Sequence, residues 1–408
     1  MSEATPHASA KQASEATARA AVLVLGMARS GTSALAHVLE LLGVALGDEL
    51  KPAKAGANDK GYFEHVALHA CHVELFAALG HDWDTLAPRP PRFWDVPATA
   101  PARARLAELL DREFRRQPLF GFKDPELCLL FPLWEELLAA RATRALPVVI
   151  ARHPEESAGS FARLRESGPQ HGLAVWLQTM VAAERATRGR PRAFVTYAQL
   201  LADPCATAER IGGELQLEWP RAPRACAAEF AAFLDRELHR HRARATPPEN
   251  ALEALALRLY AAFERAAVDR SAADAPLAAE VEAVAAELAA VQPLLAPLAD
   301  EAGERARAAR AQREELRGEF AAAAAARDLA TAELLEARRV ADAAAAVEAA
   351  LREKVAKLVA ESDSLRHAFA KSSSALAHRR RQVRLLQRGA LARLAALLRR
   401  LRRRWRRA

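Results

Sequence analysis

Residues 20–43 read AAVLVLGMARSGTSALAHVLELLG, and the chain changes character twice inside them. Ala21 to Leu25 is a short, β-branched-rich apolar run that stops at Gly26, as a buried parallel strand does. From Ser33 onward Leu35, Val38, Leu39 and Leu42 recur at helical spacing, and Gly43 stands where a helix C-cap belongs. The pattern is strand, glycine-bounded loop, helix. In that arrangement the backbone N–H groups of Gly26 to Ser33 and the positive end of the helix dipole converge on one point, where a phosphate fits. A plain βα turn with Ser30 or Ser33 as helix cap would share the local pattern, so the loop needs support from elsewhere in the chain.

Gly26 and Gly31 keep the spacing of a Walker A loop, G-x-x-x-x-G-K-[ST], whose Lys reaches the β- and γ-phosphates. Here Thr32 occupies the Lys position and Arg29 is the only cation in the loop. A kinase or NTPase would lack its main γ-phosphate contact.

Outward from this loop, Leu146 to Ala151 (LPVVIA) is a second apolar run, ended by Arg152-His153-Pro154 and followed by a helical pattern from about Glu155. Arg192 to Thr196 (RAFVT) reads as a third strand ending at Tyr197, and Phe120-Gly121-Phe122 marks a fourth. Strands separated by helix-length segments predict an α/β domain of three layers, α/β/α, around a mostly parallel sheet.

The stretch GMARSGTSALA resembles the 5′-phosphosulfate loop of sulfotransferases that use 3′-phosphoadenosine-5′-phosphosulfate (PAPS), particularly bacterial members and the tyrosylprotein type, in which Arg precedes SGT. Three further stretches carry the resemblance. Arg152 to Ser160 (RHPEESAGS) resembles the family's 3′-phosphate element, an Arg at a strand end and a Ser eight residues on. Tyr197 in VTYAQLLADP resembles the Tyr of the Y-E-D-L segment, and Gly121 to Pro125 (GFKDP) resembles the K-D-P motif of the tyrosylprotein branch. The four lie in the family's order across some 175 residues. No R-K-G element is found; the nearest substitute is Arg236 to Arg244, with His239, Arg240 and Arg242.

The resemblance implies a P-loop-like sulfotransferase domain that moves a sulfuryl group from PAPS to a hydroxyl or amine, without metal. A donor with one sulfated 5′-phosphate needs neither the Walker Lys nor magnesium. Arg29, Ser30, Gly31, Thr32 and Ser33 would hold the 5′-phosphosulfate; Arg152, with its bidentate charge, and Ser160 would hold the 3′-phosphate, beside Tyr197. Glu64, in the glycine-bounded segment GANDKGYFEHVALH, is the candidate general base, with His65 and Asp124 as substitutes. Lys123 and Arg29 are the candidate cations for the sulfuryl oxygens and the leaving oxygen. Simpler readings exist for each: Arg152 paired with Glu155 or Glu156, Lys123 paired with Asp124 or Glu126, Glu64 exposed near a helix start. Trp83, Trp94, Trp134 and Trp176 are either acceptor-cleft walls or core. A P-loop nucleotide kinase or NTPase, and a non-catalytic scaffold on a degenerate transferase domain, stay open as alternatives.

The rest of the chain serves placement. Residues 1–20 read as a disordered lead, 21–246 as the sulfotransferase domain, 247–300 as linker and helices, 301–378 as coiled coil and 379–408 as an Arg-rich amphipathic helix. The coiled-coil pattern rests on Val340, Val347, Leu351, Val355, Leu358, Leu365, Phe369 and Leu376, and predicts a homodimer; a long single helix is the alternative. Net charge is +8, yet residues 379–408 hold thirteen Arg and no Asp, Glu or Lys, leaving 46 basic against 51 acidic residues in the body. Leucines interleaved with those arginines suit an anionic membrane surface, whereas the apolar stripe would be wasted on nucleic acid. The four cysteines are far apart and show no metal spacing. With no signal-peptide pattern and no uninterrupted apolar span, the expected location is the cytoplasm, peripherally on the inner face of the membrane. The acceptor, whether glycan, lipid-linked sugar, peptide or small molecule, has no readable code.

Overall fold

The structure, a computed structural model, describes residues 19–54, 58, 60–234, 247–368, 388, 389 and 392. It divides into two compact units, Met1–Ala309 and Arg310–Ala408. Four strands form one sheet: β1 (Ala20–Leu25), β2 (Leu119–Lys123), β3 (Arg144–Ala151) and β4 (Ala193–Thr196), in the order β2-β1-β3-β4. Every neighbouring pair is parallel. All four strands coincide with the apolar runs of the sequence, each longer or shorter by a residue or two.

The helices of the first part are α1 (Thr32–Leu41), α2 (Val66–Ala77), α3 (Ala100–Leu109), α4 (Leu127–Ala139), α5 (Pro154–Arg165) and α6 (Pro169–Thr187). They are followed by α7 (Tyr197–Ala202), α8 (Pro204–Leu215), α9 (Ala227–Phe233), α10 (Ala251–Val268) and α11 (Arg270–Ala368). Alternate residues of β1 face opposite cores, as the pleat requires. Ala21, Leu23 and Leu25 pack with Phe120, Phe122, Trp134 and Trp176. Val22 and Val24 pack with Leu35, Leu39, Ile150 and Val195 on the other face. The sheet is therefore the middle of three layers.

Of residues 247–300, read from sequence as linker and helices, the stretch from Leu255 to Leu288 packs into the first core. Leu259 and Phe263 of α10, with Leu277, Val281 and Val284 of α11, are buried in the same cluster as β1. Asp274 of α11 also accepts from buried Arg192 at 2.6 Å, at the entrance to β4. The large apolar stripe on these helices is what a linker would lack.

In the second unit the described residues of α11 are a continuous helix whose apolar side chains, among them Phe320, Val340, Val347, Leu351 and Leu358, are exposed. The Arg-rich segment 379–408, apart from residues 388, 389 and 392, and the basic segment Arg236 to Arg244 lie outside the described residues. Among the described residues no helix is long and apolar enough to cross a membrane. The four cysteines are buried free thiols.

Candidate active site

In the order β2-β1-β3-β4, the chain leaves β1 toward one edge and returns through β3 toward the other, so the topological switch lies between β1 and β3. Because the strands are parallel, their C-terminal ends share one edge. There stand the Gly26–Ser33 loop after β1, Lys123 as the last residue of β2 with Asp124 behind it, Arg152 after β3 and Tyr197 after β4. Four stretches distant in sequence meet by topology alone.

The loop is held tightly. Gly26 N–H donates to Cys128 Sγ at 3.0 Å, and a Cβ on Gly26 would stand 2.6 Å from the Ile150 carbonyl oxygen. Gly31, with φ +91°, caps α1 and lies flat against the Tyr197 ring, leaving no room for a Cβ. Arg29 adopts φ +74°, a left-handed conformation that costs a non-glycine residue about 1 kcal/mol. Tyr197 is fixed by its own helix start: Thr196 and Gln199 form a capping box, which makes Tyr197 the first residue of α7.

Arg29 Nε donates to Ser160 Oγ at 3.0 Å. Ser30 and Ser157, both fully buried, share a hydroxyl contact of 3.1 Å. Arg152 lies over the Tyr197 ring at 4.9 Å, donates to the Arg29 carbonyl at 3.4 Å and pairs with Glu156 at 2.8 Å. The ion pair foreseen for Arg152 thus exists, inside the site rather than on a solvated face. Burial pulls the Arg29 pKa below the ordinary arginine value, and the neighbouring Arg152 and Arg163 charges pull the same way. A pocket that disfavours its own cations in this manner is one an anion stabilises. Ser33 differs from the sequence expectation in its present engagement: its hydroxyl donates to the Tyr62 carbonyl and accepts from Asn58.

Beside the loop is a chain of charged groups. Lys123 Nζ donates to Glu64 Oε1 at 2.6 Å, both side chains being about 95% buried. Glu64 Oε2 accepts from Lys51 at 3.2 Å. Lys51 also lies 3.3 Å from His69 Nε2, and His69 Nδ1 is 2.9 Å from Asp124 Oδ2. The exposed position considered for Glu64 is not what the fold builds. Lys123 pairs with Glu64 rather than with Asp124 or Glu126. His65 points elsewhere: it caps α2 and pairs with Glu113.

Lys51, His69, Ser157 and Cys128 were not legible as site residues, since their partners come from other elements. The four tryptophans weighed as cleft walls are all buried in the first core; of them only Trp83 also lines the cleft of about 460 Å³ that opens beside His69 and Glu126. Two groups bring potential metal-ligand atoms within 4.8 Å of one another: Glu64, His69 and Asp124, and His72, Asp124 and Glu126. Ammonium groups sit on Glu64, and Trp134 Nε1–H donates to His72 Nε2 at 2.9 Å, which leaves the imidazole hydrogen of neutral His72 on Nδ1, the atom facing the second group.

Fold and site together define a P-loop-like α/β domain with a glycine-bounded, Lys-free loop at its switch point. Among solved structures, the chain is similar to the sulfotransferase domain from the Synechococcus PCC 7002 olefin synthase, at 16% identity and TM-score 0.34, over 60% of this chain and 94% of that one. It is similar to the sulfotransferase domain from the curacin biosynthetic pathway at 15% identity and TM-score 0.34, over 60% and 98%. A third similarity is to sulfotransferase STF1 from Mycobacterium tuberculosis H37Rv, at 15% identity and TM-score 0.30, over 53% and 73%. No family model matches the chain, and no curated protein matches it.

Proposed function

We propose that the first unit is a sulfotransferase that moves a sulfuryl group from PAPS to a hydroxyl or amine of its acceptor. The observation that carries this reading is the Arg29–Ser160 contact. It joins the phosphate loop to the α5 element, so that two cations and the hydroxyls of Ser30, Ser157 and Ser160 surround one cradle that lacks the Walker Lys. A nucleotide phosphorylated at both 5′ and 3′ positions presents two anionic ends to such a site. Arg29 and Lys123 would stabilise the sulfuryl oxygens and the leaving 5′-phosphate oxygen, while Arg152, Ser160 and Tyr197 hold the 3′-phosphate end. The acceptor's proton would enter the chain formed by Glu64, Lys51, His69 and Asp124. We propose further that α11 pairs two copies through its exposed apolar positions.

The test is thermal unfolding of the full chain with PAP, PAPS, or ATP plus magnesium. Stabilisation by PAP and PAPS is the expected result. Stabilisation by ATP plus magnesium alone would overturn the reading in favour of an NTPase or kinase.

A further inference from the structure

The charged chain ends in a histidine whose environment fixes the position of its lone pair. His69 stands in the first turn of α2, and its side chain is 24% exposed beside a carboxylate, Asp124, that is 4% exposed. Asp124 lies between two imidazoles: Oδ2 is 2.9 Å from His69 Nδ1, and Oδ1 is 3.5 Å from His72 Nδ1. Because the Trp134 indole can only donate, His72 Nε2 must accept, and the His72 hydrogen faces Asp124. Burial opposes ionisation of Asp124, but the contacts with His69 and His72 outweigh it and hold its pKa well below the usual carboxylate range. A carboxylate that stays ionised keeps the hydrogen of neutral His69 on Nδ1. The lone pair is then on Nε2, the nitrogen that faces Lys51, in a ring that borders the cleft.

Glu64 is placed differently. Each of its oxygens already accepts a hydrogen bond from an ammonium group, Lys123 on Oε1 and Lys51 on Oε2. Its evident work is to fix those two cations. We propose that His69, oriented by Asp124, is the general base that takes the proton from the acceptor.

This rests on the sulfotransferase reading. The acceptor hydroxyl takes the place of Lys51 on His69 Nε2, and Lys51 remains on Glu64. The hydroxyl oxygen forms a bond to the donor sulfur as the bond from sulfur to the 5′-phosphate oxygen breaks. The electron pair of the broken bond stays on that oxygen, giving PAP. The hydroxyl proton passes to Nε2, and Asp124 offsets the imidazolium charge, as in other carboxylate-backed histidine bases. Release of the proton to water restores the neutral ring. Asp124 is a positioning residue.

Several charges bear on the titration of His69. Lys51, Glu64, Asp124 and Glu126 approach it from the preceding loop and from the segment after β2, and His72 lies on its own helix. His81, Asp82, Arg165 and Glu304 line the same cleft. Burial lowers its pKa, yet the hydrogen bond and charge of Asp124 prevail and raise it.

The deciding measurement is nitrogen-15 NMR of histidine-labelled full-length protein across pH, with wild type compared with Asp124→Asn. The expected result is a neutral His69 with its hydrogen on Nδ1 and a midpoint that falls in the variant. A neutral ring protonated on Nε2 would overturn the proposal and leave the sulfotransferase reading standing. The companion experiment follows conversion of PAPS to PAP with water as acceptor. We expect His69→Gln to lower the rate ~100-fold or more, with PAP affinity kept. A His69→Gln protein as fast as wild type would also overturn the proposal. A wild-type protein that binds neither PAP nor PAPS would instead bring down the sulfotransferase reading, and this inference with it.

Discussion

Arg29, from the loop after β1, donates its Nε–H to Ser160 on α5 at 3.0 Å although 131 residues separate them. The contact makes one site of two, and it sets what each half should do to affinity. Arg152 adjoins this junction through the Arg29 carbonyl and the Tyr197 ring. Arg152→Ala should weaken PAP by ~30-fold or more, about 2 kcal/mol, because a charge pair to a phosphate is lost in a largely buried position. Binding of 5′-AMP, which has no 3′-phosphate, should change far less. Arg29→Ala should weaken both. Calorimetric titration of the two nucleotides against the two variants checks the division of labour; equal losses for PAP and AMP in Arg152→Ala would remove Arg152 from the 3′-phosphate.

Gly31 combines φ +91° with a face pressed on the Tyr197 ring. Gly31→Ala should therefore destabilise by about 1–3 kcal/mol through strain and overpacking, and displace Tyr197. Gly159, inside α5, has nothing within 4 Å of where its Cβ would be. Gly159→Ala should be neutral or stabilise by up to about 1 kcal/mol, since alanine is the better helix former. Parallel thermal melts compare the two; a harmless Gly31→Ala would mean the ring does not seat there.

These contacts show where sequence reading succeeds and where it stops. All four strands were legible, because a buried parallel strand is a short apolar run and each run ends at a chemically distinct residue: Gly26, Lys123, Arg152 or Tyr197. Arg29, Arg152, Ser160 and Tyr197 were legible as candidates because the stretches that hold them resemble the nucleotide-binding elements of the sulfotransferase family. Their mutual contacts follow from strand order, which periodicity does not encode. Lys51 and His69 escaped notice because each acquires meaning only when α2 docks beside the end of β2. The α10 helix and the start of α11 read as linker and helices outside the domain because Ala-rich, Glu-rich stretches look solvated until a stripe such as Leu255, Leu259 and Phe263 finds its partner.

Lys123 and Glu64 form a nearly fully buried pair, with Lys51 as a second cation on the carboxylate. Lys123→Met should destabilise the first unit by about 3 kcal/mol, since it leaves Glu64 buried beside a lost partner. Adding Glu64→Gln to that variant should recover part of the loss, because the orphaned charge is gone. A double-mutant cycle by urea unfolding measures the coupling. Simple additivity of the two single changes would show that the pair is not the unit described.

The exposed Val340, Val347, Leu351 and Leu358 of α11 repeat in steps of seven and four. If they pair two copies, Leu351→Glu combined with Leu358→Glu should halve the mass seen by light scattering of the full chain. PAP binding should be unaffected, as these positions lie beyond the first unit. A wild-type protein that is monomeric at micromolar concentration would refute the pairing.

Asp124 and His69 also govern stability across pH, with opposite signs. The carboxyl of Asp124 titrates below its ordinary 3.8 in the folded protein, where the two histidines overcome the effect of burial. Its contribution is therefore present above that ordinary value and lost as pH falls through the folded pKa. His69 is opposite: burial lowers its pKa, but Asp124 outweighs this and raises it above the ordinary 6.5. Its contribution is complete below 6.5 and is lost as pH rises through the raised value. Both are in place only in the mildly acidic range, between about pH 4 and 6.5. Asp124→Asn removes the charge on which both shifts depend. The difference in unfolding free energy between wild type and Asp124→Asn should consequently be largest in that window and shrink on either side. Urea titrations at pH 5.5 and 8.5 would reveal the alkaline-side loss, and a difference independent of pH would mean that the Asp124–His69 contact carries no charge.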